Sequence, residues 1–268
     1  MVALVTLTRV TAQVLVAVPT LGERPSFLRE TLKSIRTQEA MADIVIVGPV
    51  PRIEDVAGEF SAQVVPDPGS LPAAINAGLS KAQPHHTFVT WLNDDDLLTT
   101  GSLQRTTTSL SEQSTSVLAY GACEYIDEND QLLWISKAGK WAERILTWGP
   151  DLIPQPGMLV RRWAWDAVGG VDESLRFAFD LDLLLRLRKQ GSFVDVGSVV
   201  SRFRWHATSL TVGDRTTSLN ESEEVKRRYL SARARRVSWM WEKPVRGATR
   251  IAAARVNSRA RKISASGH

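Results

Sequence analysis

The chain of 268 residues is long enough to bury a large core, and its 43% hydrophobic and 23% charged residues are an ordinary composition for a soluble globular protein. Its single cysteine, Cys123, excludes an intramolecular disulfide and a zinc site made of cysteines, so we expect a reducing compartment, the cytoplasm. No apolar run reaches the roughly 18–20 residues that span a bilayer, and we expect neither a membrane span nor a signal peptide.

The charge is distributed unevenly along the chain, which the net charge of +4 conceals. Residues 226–262 contain 13 Lys/Arg and one acid, whereas residues 1–225 contain 20 Lys/Arg and 28 Asp/Glu. The basic tail also contains Trp239 and Trp241, which favour a membrane interface. Two interpretations stay open: a peripheral contact of 226–262 with the inner face of an anionic membrane, or a solvated helical extension that packs on the acidic body.

Strand and helix patterns alternate through the first hundred residues. Apolar, β-branched runs predict strands at four places: 14–18, 44–47, 63–65 and 87–92. Apolar residues at helical spacing predict helices over 27–35 and 72–82. This order predicts a mostly parallel sheet with helices on both faces, in which ligands bind beyond the carboxyl ends of the strands.

The second half of the chain is less regular. We predict helices over three ranges: 102–110, 163–168 and 180–190. We predict strands over 117–120 and 132–135.

Three consecutive acids, Asp94, Asp95 and Asp96, directly follow the strand predicted at 87–92. Adjacent carboxylates at the edge of a core repel one another, so they need a compensating cation. Hard oxygen ligands at a strand end suit Mg²⁺ or Mn²⁺. The alternative is a solvated acidic turn.

Six segments carry a joint signal in their order and spacing: 16–25, 74–79, 93–98, 157–173, 179–187 and 204–209. Together they resemble the family 2 glycosyltransferases of the GT-A fold, in which 93–98 corresponds to the DXD motif. The resemblance covers about residues 13–212 and implies an α/β fold of the GT-A type, with a single Rossmann-like, mostly parallel sheet flanked by helices. It implies a glycosyltransferase domain over 1–215, with a donor half at about 13–100 and an acceptor half at about 101–215. Residues 216–268 would form a basic helical C-terminal extension.

The resemblance implies a metal-dependent, inverting, hexosyltransferase-like enzyme of polysaccharide biosynthesis. It would move a sugar from a nucleotide-sugar donor to a hydroxyl of a saccharide or a lipid-linked glycan, with Mn²⁺ or Mg²⁺ as cofactor. Asp180 would be the catalytic base, although a first-turn acid of a helix is also a common stabilising feature. The residues implied to bind the donor are Pro19, Thr20, Leu21, Glu23, Asn76, Asp94 and Asp95. The residues implied to bind the metal are Asp94, Asp95, Asp96 and His206, with a structural histidine as the alternative for the last.

One departure from the family pattern concerns the nucleotide base. The second strand is followed by Gly48 and Pro49, where the family usually has an aspartate that reads the base. Glu54 and Asp55 are candidates to replace it, and the identities of base, sugar and acceptor stay open.

Two other classes of function compete with this interpretation. A GT-A-like nucleotidyltransferase would need a Gly-rich, basic phosphate loop after the first strand, which the turn at 19–24 lacks. A non-enzymatic nucleic-acid-binding protein could use the basic tail, but the acidic body and the lack of a reader motif oppose it. We therefore expect no nucleic-acid partner.

Overall fold

The computed structural model describes residues 13–38, 42–136, 139, 141–205 and 215–266. Its strands are β1 (Val14–Pro19), β2 (Ala42–Gly48), β3 (Gln63–Pro66), β4 (Phe88–Trp91), β5 (Leu97–Leu98), β6 (Ser116–Ile126), β7 (Leu132–Ser136), β8 (Leu159–Arg161) and β9 (Ser192–Arg204). Its helices are α1 (Pro25–Arg36), α2 (Val50–Glu59), α3 (Leu71–Leu79), α4 (Ser102–Glu112), α5 (Ala142–Ile145), α6 (Arg162–Val168), α7 (Phe179–Leu187), α8 (Arg215–Arg228), α9 (Ala232–Val237) and α10 (Trp239–Ser266).

Within the described ranges, nine strands form one sheet in the order β3-β2-β1-β4-β8-β6-β9-β5, with β7 paired to β6. The four strands predicted in the first half are all present, and β3, β2, β1 and β4 are parallel to one another. In the second half β6 and β9 are parallel, while β8, β5 and β7 join antiparallel. The predicted α/β architecture with a mostly parallel sheet is confirmed.

Helices cover both faces of the sheet because successive residues of its central strands point to opposite sides. Leu15 and Ala17 of β1 pack into the core under α3, α6 and α7, whereas Val16 and Val18 pack into the core under α1, α2 and α4. Helix α3 lies so close to the sheet that a side chain at Gly78 would collide with Ala17. This two-sided burial is why the strands read as continuous apolar runs.

Five elements were not predicted from the sequence: α2, α5, β5, β8 and β9. Strand β9 is 13 residues long and largely half-buried, with Asp195, Gly197 and Ser198 within it. Polar residues and a glycine interrupt the alternation by which a strand is recognised. Its place is set by pairing with β6, with several shifts in register.

The C-terminal segment is helical and packs on the rest of the chain. Val225 of α8 is fully buried, and the hydroxyl of Tyr229 donates a hydrogen bond to Asp182 of α7 at 2.9 Å. Some basic side chains of the tail form ion pairs, such as Arg227 with Glu242 and Arg246 with Glu223. Among the described helices, none combines the length and apolarity required to cross a membrane. A domain division at residue 215 stays a prediction.

Candidate active site

A cleft of about 710 Å³ opens at the carboxyl ends of β1 and β4. Parallel strands end at the same edge of a sheet, so the turns after β1 and β4 come together there. Seven of the residues implied by the sequence line the cleft: Pro19, Thr20, Leu21, Glu23, Asp94, Asp95 and Asp180. The prediction for His206 lies outside the described residues.

Two carboxylates of the acidic triplet face the cleft. Oδ2 of Asp94 accepts a hydrogen bond from the hydroxyl of Thr20 at 2.5 Å. Arg24 lies 2.9 Å from Asp95 and 3.5 Å from Asp94. A cation therefore compensates these acids, as the sequence required, and a side chain supplies it.

The third acid, Asp96, lies beneath the turn and not in the cleft. It is fully buried, and its two carboxylate oxygens accept hydrogen bonds from the backbone N–H of Arg204 and the amide of Asn93. Burial raises the pKa of Asp96 well above its ordinary value, and the charge of Asp95 raises it further. Both oxygens are occupied on the inner side, so we do not carry Asp96 into the proposed metal site.

Arg204 supports the turn through its side chain and is also among the residues that line the cleft. Its side chain is 1% exposed, and its guanidinium donates to the carbonyl of Asp95 and forms ion pairs with Glu30 and Asp130. The same guanidinium stacks 4.3 Å from the ring centroid of Phe27. A buried arginine with this many acceptors holds the backbone of the triplet in place.

The chemistry of Asp94 and Asp95 fits a magnesium or manganese ion. Both are carboxylates at the cleft surface, and hard oxygen ligands beside space for a phosphate are the usual setting of Mg²⁺. A second possible metal cluster, Asp43 with His85 and His86, has ligand atoms within 4.8 Å of one another. It lies at the amino ends of β2 and β4, away from the cleft.

The second cluster is less suited to a metal in its present arrangement. Nδ1 of His86 accepts a hydrogen bond from the N–H of Gln83 at 2.8 Å, so its proton is on Nε2 when the ring is neutral. That Nε2 lies 3.0 Å from Asp43 and donates to it. A metal at Nε2 would need the other tautomer and the loss of both hydrogen bonds.

Asp180 lies in the first turn of α7 and lines the cleft. Its Oδ1 accepts a hydrogen bond from the N–H of Leu181 at 2.7 Å. Burial and, to a smaller extent, the charge of Glu221 raise the pKa of Asp180 to about 6, against the lowering effect of that N–H donor. A carboxyl group with this pKa is ionised at neutral pH and still basic enough to accept a proton.

A second carboxyl group, Asp151, lines the same end of the cleft. Loss of solvation within the cleft and the charge of Asp180 together raise the pKa of Asp151 to about 7, although the residue as a whole is exposed. The Lys226 ammonium acts in the opposite direction and donates a hydrogen bond to the carbonyl of Gly149 at 2.5 Å. Two carboxyl groups and one lysine thus face each other across this pocket.

Asn76, implied as a donor-binding residue, does not line the cleft. Its side-chain amide donates to the carbonyl of Val171 at 2.9 Å and to Glu173 at 2.8 Å, and its oxygen accepts from the N–H of Val171. The residue closes the turn before α7 against α3. Its place in the sequence motif therefore reflects packing in this chain, and we do not carry it into the donor site.

The two sequence candidates for reading the nucleotide base do not line the cleft. Glu54 and Asp55 are exposed on α2 and are absent from the cleft lining. Asp67, which directly follows β3, lines the cleft, and its Oδ1 accepts from the N–H of Gly69 at 2.9 Å. The sequence contained a signal for Asp67, because it directly follows a predicted strand, as the acidic triplet does.

Aromatic rings and residues of the C-terminal helices also line the cleft. Rings of Tyr125 and Phe203 lie 5.2 Å apart, and Trp205 lies 6.0 Å from Tyr125. Opposite them, Lys226 of α8 and Arg246 of α10 line the cleft. The C-terminal helices thus form part of the cavity, which sequence analysis did not predict.

Comparisons with known proteins agree with this geometry. The family described as "Glycosyltransferase like family 2" matches residues 16–239. A crystal structure of S. aureus TarS 1-349 superposes with a TM-score of 0.58 at 14% identity, covering 80% of this chain and 68% of that chain. A second S. aureus TarS structure gives a TM-score of 0.56 at 14% identity, covering 82% of this chain and 44% of that chain. No curated protein sequence matches. At this identity the structural likeness bears on the fold alone.

Proposed function

Since this chain belongs to the glycosyltransferase-like family 2 and is a glycosyltransferase, we propose that it transfers a sugar with inversion from a nucleotide-sugar donor to a hydroxyl group. The proposed acceptor is a saccharide or a lipid-linked glycan. One observation carries the proposal: the acids Asp94 and Asp95 and the carboxyl group of Asp180 line the same cleft. The family match favours this activity over a nucleotidyltransferase or a nucleic-acid-binding protein.

Asp180 is the proposed general base. Its carboxylate takes the proton of the acceptor hydroxyl while that oxygen attacks the anomeric carbon of the donor sugar. The bond between the anomeric carbon and the diphosphate oxygen breaks, and the nucleoside diphosphate leaves with the bonding electrons. A single displacement of this kind inverts the anomeric centre. The raised pKa of Asp180, about 6, makes its carboxylate a better proton acceptor than an ordinary aspartate.

Asp94 and Asp95 are the proposed ligands of Mn²⁺ or Mg²⁺. When bound, the ion would supply Lewis-acid neutralisation of the charge that develops on the leaving diphosphate. Thr20 orients Asp94 through its hydrogen bond of 2.5 Å, and Arg204 holds the carbonyl of Asp95. Arg24 already lies at these carboxylates, so it is placed to contact the diphosphate as well.

The donor nucleoside is proposed to bind between β1 and β3. Pro19, Thr20, Leu21 and Glu23 line this part of the cleft, and Asp67 is the proposed hydrogen-bond acceptor for the base or the ribose. A carboxylate accepts hydrogen bonds from ribose hydroxyls and from a base N–H alike. The acceptor is proposed to bind at the opposite end, where aromatic faces such as Tyr125 pack on sugar rings.

For the tail we propose peripheral contact with an anionic membrane surface, near a lipid-linked acceptor. Trp239 and Met240, at the start of α10, are each 59% exposed. Exposed aromatic and apolar side chains beside a strongly basic segment are typical of interfacial helices.

The variant Asp180→Asn tests the proposed base. We expect calorimetry to show unchanged donor binding and turnover to fall by roughly 10²–10⁴-fold, the usual contribution of a positioned acid or base. The matched control is Asp166→Asn on α6, an exposed acid paired only at i,i+4 with Arg162. NMR should show a product anomer opposite to that of the donor. Retention of configuration, or a variant that keeps most of its activity, would contradict the proposal.

A further inference from the structure

A single side chain of α8, Glu221, accepts three backbone hydrogen bonds from the segment that leads into α7. Its Oε1 accepts from the N–H of Arg176 at 3.0 Å. Its Oε2 accepts from the N–H of Phe177 at 2.5 Å and of Ala178 at 2.6 Å. Glu221 is more than 40 residues away from this segment in the chain, so the contact is wholly tertiary.

Helix α7 receives an acceptor from outside the helix at its N-cap residue, Ala178. Its N-cap residue is Ala178, which has no side chain that could accept a hydrogen bond. The first N–H groups of a helix have no partner within the helix, and they favour a negative charge. The carboxylate of Glu221 supplies the acceptor and the charge at the residues just before Asp180.

The helix that carries Glu221 is itself firmly held. One turn further along α8, Val225 is fully buried in the core. The hydroxyl of Tyr229 donates to Asp182 of α7 at 2.9 Å, and Lys226 donates to the carbonyl of Gly149. A carboxylate on such an element can fix the position of the segment it binds.

We propose that Glu221 is a positioning residue for the reaction: it fixes the start of α7 and thereby holds the carboxylate of Asp180 in the cleft. The C-terminal helix α8 is then part of the catalytic apparatus and not an appendage. This inference rests on the proposed function, in which Asp180 is the base.

Glu221 also acts on Asp180 through its charge. Its negative charge raises the pKa of Asp180, in addition to the effect of burial. The other charged groups that line this end of the cleft are Asp151, Arg176, Glu223, Lys226 and Arg246. Asp182 lies on the same helix but is paired with Arg186 at 2.7 Å. Removing the charge of Glu221 while the others stay should therefore lower the pKa of Asp180.

Three variants separate position from charge. Glu221→Gln removes the charge and keeps the shape and one acceptor oxygen. Glu221→Asp keeps the charge but withdraws it by one methylene from the three N–H groups. Glu224→Gln is the matched control, because Glu224 lies on the same helix, is exposed and forms an ion pair with Arg228 at i,i+4.

Two measurements are made on each variant. Amide hydrogen exchange of Phe177 and Ala178 reports the hydrogen bonds directly and does not depend on activity. The dependence of kcat on pH reports the position and the pKa of the base. Circular dichroism at each pH confirms that the variants are folded.

For Glu221→Gln we expect amide exchange at Phe177 and Ala178 to become at least about 10-fold faster. We expect kcat to fall by roughly 10- to 100-fold with an unchanged KM for the donor, because a displaced base affects the chemical step. The acidic limb of the pH profile should move to lower pH. Glu221→Asp should show the faster exchange and lower kcat with its acidic limb closer to that of the parent protein. Glu224→Gln should match the parent protein in all respects.

The outcomes for this inference and for the proposed function are distinct. If Asp180→Asn is inactive but Glu221→Gln behaves like Glu224→Gln, the positioning role is wrong and the proposed base stands. If Asp180→Asn stays active, the proposed base is wrong. If Glu221→Gln shows faster exchange but an unchanged kcat and an unmoved pH profile, the link between Glu221 and catalysis is wrong.

Discussion

Arg24 lies 2.9 Å from the carboxylate of Asp95, inside the cleft and on the side proposed for the donor diphosphate. The guanidinium takes the place that a divalent cation would need in order to neutralise Asp94 and Asp95. Arg24 is partly exposed whereas the two acids are buried, so a displaced guanidinium can stay solvated while an incoming metal ion neutralises the acids. The resident arginine and a metal ion should therefore compete for the same carboxylates.

The first prediction concerns metal binding. Calorimetry should show that Mn²⁺ binds weakly alone and more tightly with a nucleoside diphosphate, because Mg²⁺-type sites are rarely all-protein cages. Asp95→Ala should lose the nucleotide-dependent binding. Arg24→Gln should strengthen binding of Mn²⁺ alone by about 5- to 10-fold, since it removes a competing cation. Arg29→Gln, which breaks an exposed pair with Glu59, is the control. Unchanged binding in Asp95→Ala would rule out the proposed site.

The second prediction concerns pH. Asp180 acts as base only when ionised, and its folded-state pKa is about 6, raised from 3.8 by burial. Turnover should therefore be full above about pH 7 and fall about tenfold per pH unit below about pH 6. An unshifted aspartate would keep turnover constant down to about pH 4. Rates measured from pH 4.5 to 8.5, with circular dichroism to verify folding, decide between the two.

The third prediction concerns the two neighbouring acids Asp151 and Asp180 and is tested without measuring activity. The charge of Asp180 contributes to raising the pKa of Asp151 to about 7. In Asp180→Asn that charge is gone, so the pKa of Asp151 should fall. NMR titration of the Asp151 carboxyl carbon measures this directly. An unchanged titration would mean that solvent in the cleft screens the two groups from each other.

The fourth prediction concerns recognition of the donor nucleoside. Asp67→Asn should raise the KM for the donor by about 10-fold with little change in kcat, because the contact is made equally in the ground state and the transition state. Asp55→Asn should have no effect, since Asp55 is exposed on α2 and is absent from the cleft lining. If Asp55→Asn raises the KM for the donor and Asp67→Asn does not, the residue that reads the base lies on α2.

The fifth prediction concerns the tail. The full-length protein should co-sediment with anionic vesicles but not with neutral ones, and salt should weaken the binding. Trp239→Ser combined with Met240→Ser should reduce binding, whereas Leu132→Ser, at another exposed apolar residue, should not. Truncation within α8 is unsuitable because Val225 is part of the core. If the protein stays in the supernatant at low salt, the tail serves to pack on the acidic body.

Local patterns in the sequence were sufficient to predict the four parallel strands of the donor half and two of its three helices, α1 and α3. A strand buried on both faces must be apolar throughout, and a helix on a sheet must repeat its apolar residues every three or four positions. The triplet at 94–96 was recognisable because it directly follows such a strand. Its position at the carboxyl end of a central strand followed from the βαβ order alone.

Only the tertiary structure decided which of the marked residues face the cleft. Asp96 is the next residue after Asp95, yet its carboxylate lies beneath the turn and accepts a hydrogen bond from the backbone N–H of Arg204. The side chain of Asn76 is hydrogen-bonded to Val171 in the turn before α7. Thr20 and Asp94 are 74 residues apart and become hydrogen-bond partners only after β1 pairs with β4.

The contacts of Arg24 and Glu221 leave no local trace in the sequence. A surface arginine or a helical glutamate has the same kind of neighbours in the sequence whether or not a distant residue pairs with it. Periodicity records which side of an element is buried, because burial acts on every turn of a helix or every second residue of a strand. It does not record long-range polar pairing, which depends on how separate elements are brought together. For this reason the sequence determined the parallel donor half of the sheet and the chemistry of its edge, and the folded chain determined that Glu221 of α8 binds the N-cap residue of the helix of the proposed base.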